Sequence, residues 1–347
     1  MVKVCKAKIF DCVLLTVMLG TALVLILFSA EAKEGAVLGL ALAENTIIPS
    51  LLPLLIIFLT IMKTGAGTVL SRIFGAVTVK IFNLPAVASS TLIFGLIGGY
   101  PTGALITNEL LRNDNIDARQ ARRILRFNFC GGCGFIITAV GTITYGSISI
   151  GLILFASNVI SAVVIGILLS FKEKRIENEY FSYDEAVPFS EALSSSVSSA
   201  VSSVLSIAAY VIVFSALKSI VDIPNVLMPA AEITNGVCTE KFDLPLLSAY
   251  LAFGGFCIHF QLLGIISKAG MKYADFLLFR VISALLSYGV TKIILLAFPI
   301  DKMVFANGSV QTVSFSSVNV TLSVLMIIGC FVLILDINSK RRFKNNI

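Results

Sequence analysis

An all-α polytopic membrane protein, arranged as an inverted repeat with two re-entrant broken-helix hairpins, is the fold class this sequence predicts. Three observations predict it. Of the 347 residues, 57% are hydrophobic and only 13% charged, and the mean hydropathy is +0.97; a soluble domain carries about 25% charged residues. Most apolar runs have lengths near the ~20 residues that cross a bilayer. Two further apolar runs are interrupted by Gly, Pro and polar residues, and a break of this kind survives in hydrocarbon only where protein or a water-filled cavity satisfies the freed backbone.

The N-terminal stretch "MVKVCKAKIFDCVLLTVMLGTALVLILFS" has a basic flank and an apolar core. Its run is too long for a signal peptide and lacks a small-x-small cleavage site, so it reads as a retained first span with Lys3, Lys6 and Lys8 inside. Residues 1–40 then hold this span and an outer loop. Candidate spans follow at 45–62, 127–145, 147–171, 191–217, 244–266, 273–299 and 315–336, after the first at 12–30. The interrupted runs are 84–111 and 224–240.

The distribution of Lys and Arg decides how the interrupted runs lie, because short cytoplasmic loops carry the excess of cations. If both are hairpins that enter and leave on one side, twenty of the 26 Lys and Arg fall inside. Four fall outside (Lys33, Lys218, Lys241 and Lys302), and Arg280 and Lys292 lie within a span. A full crossing at 84–111 would put the five-arginine loop "RNDNIDARQARRILR" outside. The same distribution argues against nucleic acid as the partner behind the net charge of +6.

An internal repeat agrees. "CGGCGFIITAVG" (130–141) resembles "FGGFCIHFQLLG" (253–264) at an offset of 123 residues. Each copy reads span, broken hairpin, glycine-bearing span, span. Three crossings per copy invert the next, a recurring plan of secondary transporters. The charged linker at 172–190 separates the first repeat (41–171) from the second (191–299), and 300–347 adds an outer loop, a last span and a basic tail.

The first break is "GLIGGYPTGALI" (95–106). Tyr100 precedes a proline and is pushed away from helical geometry, whereas Pro101 suits the start of a helix. One half-helix therefore ends at Gly98–Gly99 and another starts at Pro101, with the amides of Thr102, Gly103 and Ala104 free at its positive end, where an anion or carboxylate fits. A glycine-lined packing kink is the other reading. The second break, "MPAAEITNG", carries Glu232, Thr234 and Asn235. A carboxylate at membrane depth is a functional candidate: Glu232 holds a coupling cation or proton, or binds a donor group of the substrate, or else caps a short helix at the outer interface. Tyr100, Thr102, Gly103, Asn128, Thr234 and Asn235 are the candidate substrate-binding residues.

The remaining polar positions read more plainly. His259, the single histidine, fits a satisfied interhelical hydrogen bond. Arg280 is either an inner-face anchor or the counter-charge of an anion. The serine-rich helix at 190–210 suits close packing against the transport core. Cys130 and Cys133 form the one C-x-x-C; small residues for close packing explain the pair better than redox or metal chemistry. No Walker lysine motif, zinc-ligand cluster or nucleophile–His–acid grouping is present, so the sequence reads as a non-enzyme with no cofactor and no metal.

"IIPSLLPLLI" (47–56), "GGYPTGALITNELLR" (98–112), "FNFCGGCGFIITAVG" (127–141) and "EITNG" (232–236) resemble the YlbJ/SpoVV sporulation integral membrane proteins over about residues 40–300. Family members carry an Asn/Ser-rich segment where this chain has "CGGCG". The resemblance implies Gate-type nucleoside-recognition repeats with a nucleoside-transporter-like core. It also implies a sporulation role, in the outer forespore membrane of a spore-former, moving dipicolinate into the developing spore. A small anionic solute and the lipid bilayer are then the partners, with a homo-oligomer left open. The alternatives are a nucleoside permease and a membrane scaffold that moves nothing alone.

Overall fold

The computed structural model describes residues 2–171, 173, 187–221, 224–239 and 241–299. The outer loop and last span expected at 300–347, and most of the linker, lie outside the described residues. Every regular element among the described residues is helical, which makes the chain an all-α polytopic membrane protein. Five helices among them are long and apolar enough to cross a bilayer: Gly65–Phe82, Ile148–Ser170, Phe189–Ile220, Leu244–Lys268 and Tyr273–Ala297. A bent pair at the N-terminus raises the number to six.

That pair corrects the expectation of an outer loop before residue 41. Helix α1 (Val2–Leu27) turns by 95° at Phe28 into a second helix, α2 (Ser29–Leu42). A π-turn at Ala43–Ile47 leads on into α3 (Ile48–Lys63). From α2 to α3 the chain runs antiparallel to α9 (Phe189–Ile220). At one end the Ser219 hydroxyl donates to the Glu31 carbonyl (2.5 Å), midway Gly39 lies against Ile212 and Ser215, and at the other end Lys63 Nζ donates to Ser195 Oγ (3.2 Å). Glu31, Lys33 and Glu34 gave the stretch a loop-like composition, but Gly35 and Gly39 on one face let the two backbones close together, as small residues do between membrane helices.

The serine-rich part of α9 differs from expectation as well. Ala192, Ser196, Ala200 and Val204 form its buried face, while Ser195, Ser199, Ser202 and Ser206 are turned away from the core. Of these, Ser199 and Ser206 bond their own helix's carbonyls four residues back, which satisfies the hydroxyls without a partner helix.

Residues 63–83, expected as a cytoplasmic loop, form α4 (Gly65–Val77) and its π-helical extension Thr78–Phe82. The first hairpin follows: α5 (Ser89–Gly98) and α6 (Tyr100–Arg112). Then come α7 (Ala118–Phe127), an extended segment at 128–132, a π-helical segment Gly134–Thr144, and α8 (Ile148–Ser170). The second hairpin is α10 (Met228–Ala231) with α11 (Ile233–Thr239), followed by α12 (Leu244–Phe253), α13 (Gly255–Lys268) and α14 (Tyr273–Ala297). The run at 45–62 thus belongs to a longer helical stretch, and that at 127–145 is a short helix behind a break.

The five-arginine loop is largely α7, started by a capping box in which Asp117 Oδ1 accepts from Gln120 N (2.7 Å) and Gln120 Oε1 from Asp117 N (2.9 Å). Its arginines gather the ends of four other elements on one face. Arg123 donates to the carbonyls of Phe82 and Asn83, Arg122 to that of Ala269 (3.0 Å), Arg126 pairs with Asp275 (2.6 Å) and Arg119 with Glu173 (2.9 Å). Cations at helix C-termini meet the negative end of the dipole there. On the opposite face the Phe242 amide donates to the Tyr145 hydroxyl (2.8 Å), and the Tyr250 hydroxyl to the Val226 carbonyl (2.6 Å).

Candidate functional site

In the first hairpin, α5 and α6 lie antiparallel and are closed by hydroxyl bonds. Thr91 Oγ1 on α5 donates to the Gly103 carbonyl on α6 (2.9 Å) and lies 2.9 Å from Thr107 Oγ1, which itself donates back along α6 to the same carbonyl (2.6 Å). Asn128, from the extended segment after α7, is wedged between the two half-helices. Its Nδ2 donates to the Thr91 carbonyl (2.7 Å), and a Cβ added at Gly95 or Gly103 would run into its amide. The structure starts α6 at Tyr100, one residue before the predicted Pro101. The turn is made by Gly99 at φ +99°, ψ −175°, a conformation open to glycine, so the pre-proline residue is relieved of the bend. The Thr102 amide, expected free, donates to the Gly99 carbonyl (3.0 Å).

The second hairpin is smaller. Gly236 packs on Pro229, and between α10 and α11 the Glu232 carboxylate accepts from the Thr234 amide (2.9 Å). Glu232 is 3% exposed. The carboxylate thus makes a helix-cap bond, in the interior rather than at the expected outer interface. A carboxylate already sits at the amino end of α11.

Each hairpin tip rests on a glycine of a broken span. A Cβ added at Gly132 would lie 2.8 Å from the Gly98 carbonyl oxygen, and one added at Gly99 would lie 2.6 Å from the Gly132 amide nitrogen. In the same way, a Cβ at Gly255 would lie 3.0 Å from the Ile233 amide nitrogen and 3.1 Å from the Pro229 carbonyl oxygen. Gly132 and Gly255 are matched in the 123-residue repeat register.

The halves are also cross-linked. Tyr100 bonds the Leu251 carbonyl on α12 and packs its ring on Phe129 (centroids 4.7 Å apart). Arg280, fully buried on α14, lies over the Phe129 ring at 4.4 Å and donates to the carbonyls of Phe129 (3.3 Å) and Arg126. It is therefore a cap for the carboxyl end of α7, stacked between aromatic rings. His259 does for α12 what Arg280 does for α7: Nε2 lies 2.9 Å from the Phe253 carbonyl and Nδ1 3.1 Å from the Tyr273 hydroxyl. A carbonyl only accepts, so Nε2 carries the proton and Nδ1 accepts from Tyr273.

A cavity of about 50 Å³ lies where these parts converge. Gly99, Tyr100 and Pro101 come from the first hairpin, and Ile233 and Thr234 from the second. Gly132 and Phe135 face it from one broken span, Ile258 and Gln261 from the other. Two pairs at four-residue spacing, Ile47 with Leu51 and Ile207 with Val211, complete it. Ile207 and Val211 lie near the middle of the 32-residue α9, which puts the cavity about halfway along that helix.

Of the predicted binding residues, Tyr100 and Thr234 line this cavity and Glu232 holds the adjoining amide. Thr102, Gly103 and Asn128 lie inside the first hairpin's packing and away from the cavity wall; the side chain of Asn235 lies outside the described residues. Gln261, whose place just after the glycine pair of the second repeat marked it in the sequence as a polar group that could face a central cavity, does line it, although it was not counted with the substrate-binding candidates. Its Oε1 has no hydrogen-bond partner among the described residues, and the repeat register matches it to Thr138. Among the described residues no group of three or more His, Cys, Asp or Glu is placed to hold a metal.

These features define a class: a polytopic helical membrane protein with two broken hairpins meeting spans that are themselves interrupted by glycine. Among curated proteins, the chain is similar to the sporulation integral membrane protein YlbJ of Bacillus subtilis (strain 168), with 20% identity over 302 residues, covering 72% of this chain and 74% of YlbJ. This distant likeness agrees with the family resemblance carried by the motifs at 98–112 and 127–141. No protein-family profile matches the chain, and no solved structure is similar to it.

Proposed function

We propose that this protein is a secondary transporter whose solute passes through the cavity between the two hairpin tips. The observation that carries the reading is the convergence of both hairpin tips and both broken spans on that one cavity, since discontinuous helices that meet at a shared cavity are the plan of secondary-transporter binding sites. The solute we favour is a small carboxylate, dipicolinate first, taken into the developing spore across the outer forespore membrane. YlbJ's name supports the sporulation setting, and the amino end of α6 at Gly99–Pro101 supplies a positive dipole end for a carboxylate.

Two properties of the cavity constrain the mechanism. At about 50 Å³ it holds a few waters at roughly 10–15 Å³ each, so the hairpins must part to admit a solute. No Lys or Arg is among the residues that line it, and an unpaired charge is expensive away from water. A carboxylate must then travel with a proton or a cation, which makes coupled transport the natural mode. Glu232, beside the cavity, is the group we assign to that coupling.

Uptake of labelled dipicolinate and labelled uridine into vesicles containing the purified protein tests the reading. Dipicolinate uptake that depends on a proton or sodium gradient supports it. Uridine uptake alone would favour a nucleoside permease, and uptake of neither would favour a scaffold.

A further inference from the structure

Gly65–Phe82 has the length and composition of a membrane span, but its two ends do not lie on opposite faces. At its start, the Lys63 carbonyl accepts from the Val187 amide (3.1 Å) and Lys63 Nζ reaches Ser195, so this end meets the beginning of α9. At its finish, Asn83 Nδ2 donates to the Glu173 carbonyl (3.3 Å), and Phe82 packs against Gly166, near the end of α8. The end of α8 and the start of α9 are joined by "KEKRIENEYFSYDEAVP", a segment too charged to cross a bilayer, and so they share a face. An 18-residue helix is about 27 Å long. Upright, it would carry one end nearly the full ~30 Å of the hydrocarbon core away from the other.

The helix carries three stripes at four-residue spacing. Gly67, Ser71 and Gly75 are buried, with Gly75 tight on Ala86 at the foot of the first hairpin. Ile73, Val77 and Ile81, with Phe74 beside them, are exposed and apolar. Arg72, Ala76 and Lys80, one residue on from the buried stripe and so about 100° round the helix from it, are exposed and flank the apolar stripe. The stretch contains no Asp or Glu. A helix with a protein face, an apolar face and a purely cationic flank suits the plane where acyl chains meet anionic headgroups.

We infer that α4 and its extension form an in-plane helix that docks on anionic phospholipid at the arginine-rich face, which the charge bias places in the cytoplasm. It leads directly into Asn83–Pro85 and the first hairpin, and so ties the foot of that hairpin to the leaflet.

The chain contains no tryptophan, so Phe74→Trp gives a single reporter on the exposed apolar face. In vesicles, an in-plane helix places this indole at the interface: lipids brominated near the glycerol should quench it more than lipids brominated near the chain ends. The reverse order would mean that the helix crosses, with residue 74 at the bilayer centre, and overturns the inference. Energy transfer from the same indole to dansyl-labelled lipid should favour phosphatidylglycerol over phosphatidylcholine several-fold at low salt, since each surface cation contributes about 1 kcal/mol, roughly fivefold, of attraction. Arg72→Gln with Lys80→Gln should bring the two lipids to parity. Equal transfer in the unmodified helix would overturn the lipid assignment. Both readings are independent of solute uptake.

Discussion

The Tyr100 hydroxyl donates to the Leu251 carbonyl and so joins the tip of the first hairpin to the last turn of α12. This bond couples the two halves directly beside the cavity that Tyr100 also lines. Tyr100→Phe keeps the ring on Phe129 but leaves a buried carbonyl unpaired, at a cost of about 1–3 kcal/mol. The expected outcome is a lower melting temperature in detergent together with altered solute affinity. An unchanged protein in both respects would remove Tyr100 from the site.

The contact between Gly99 and Gly132 leaves no room for a side chain. At Gly99 a left-handed φ is added to a Cβ contact of 2.6 Å with backbone, so Gly99→Leu must displace the tip. Uptake should be abolished while the protein still inserts and is recovered in the membrane fraction. Gly132→Leu should behave alike, since the clash is the same one seen from the other side.

Asn128 tests the distinction between packing and binding. Its amide is committed to Thr91 and fills the notch between Gly95 and Gly103, so Asn128→Ala should open a gap inside the hairpin. Stability should fall by about 1–3 kcal/mol, and solute affinity should change less than it does in Tyr100→Phe. A large affinity loss with unchanged melting would restore Asn128 to the binding set.

What was legible in the sequence was what glycine and proline write into it. The break at 98–101 and the matched glycines at 132 and 255 stood out because such residues have few other reasons to interrupt an apolar run. His259 was legible too: a lone histidine in an apolar helix must satisfy both nitrogens, and it does so with Phe253 and Tyr273. The helices α2 and α4 were not legible, because Glu31, Lys33 and Glu34 in one and Arg72 and Lys80 in the other gave them the charge of loops. Nor were the partners of Arg280 and Arg123, which are backbone carbonyls and leave no mark on the residue types around them.

Topology follows from the two sets of inter-element bonds. Asn115 lies beside the arginine-rich face, and Asn225 beside the face where Tyr250 bonds Val226. Single cysteines at these two positions, in a background stripped of the seven native ones, should react with an impermeant thiol reagent from opposite sides of the membrane. Reaction of both from one side would overturn the arrangement of the hairpins.

Glu232 separates coupling from binding. Its carboxylate accepts from the Thr234 amide, and Thr234 lines the cavity. A carboxylate solute would be repelled by this group at close range, because like charges at low dielectric repel by several kcal/mol. Direct contact is therefore the wrong role, and holding a coupled proton or cation beside the cavity is the better one. Glu232→Gln retains an acceptor for the Thr234 amide and removes the charge, so solute binding should survive while uptake loses its dependence on pH or on the coupling ion. Glu232→Ala removes the acceptor too, costing about 0.5–2 kcal/mol as the loss of a helix cap does, and should weaken binding as well. Thr234→Val should weaken binding by roughly 1–3 kcal/mol if its hydroxyl meets the solute, with the ion dependence intact. Should Glu232→Gln keep its full pH and ion dependence, the coupling site lies elsewhere and Glu232 is a cap alone.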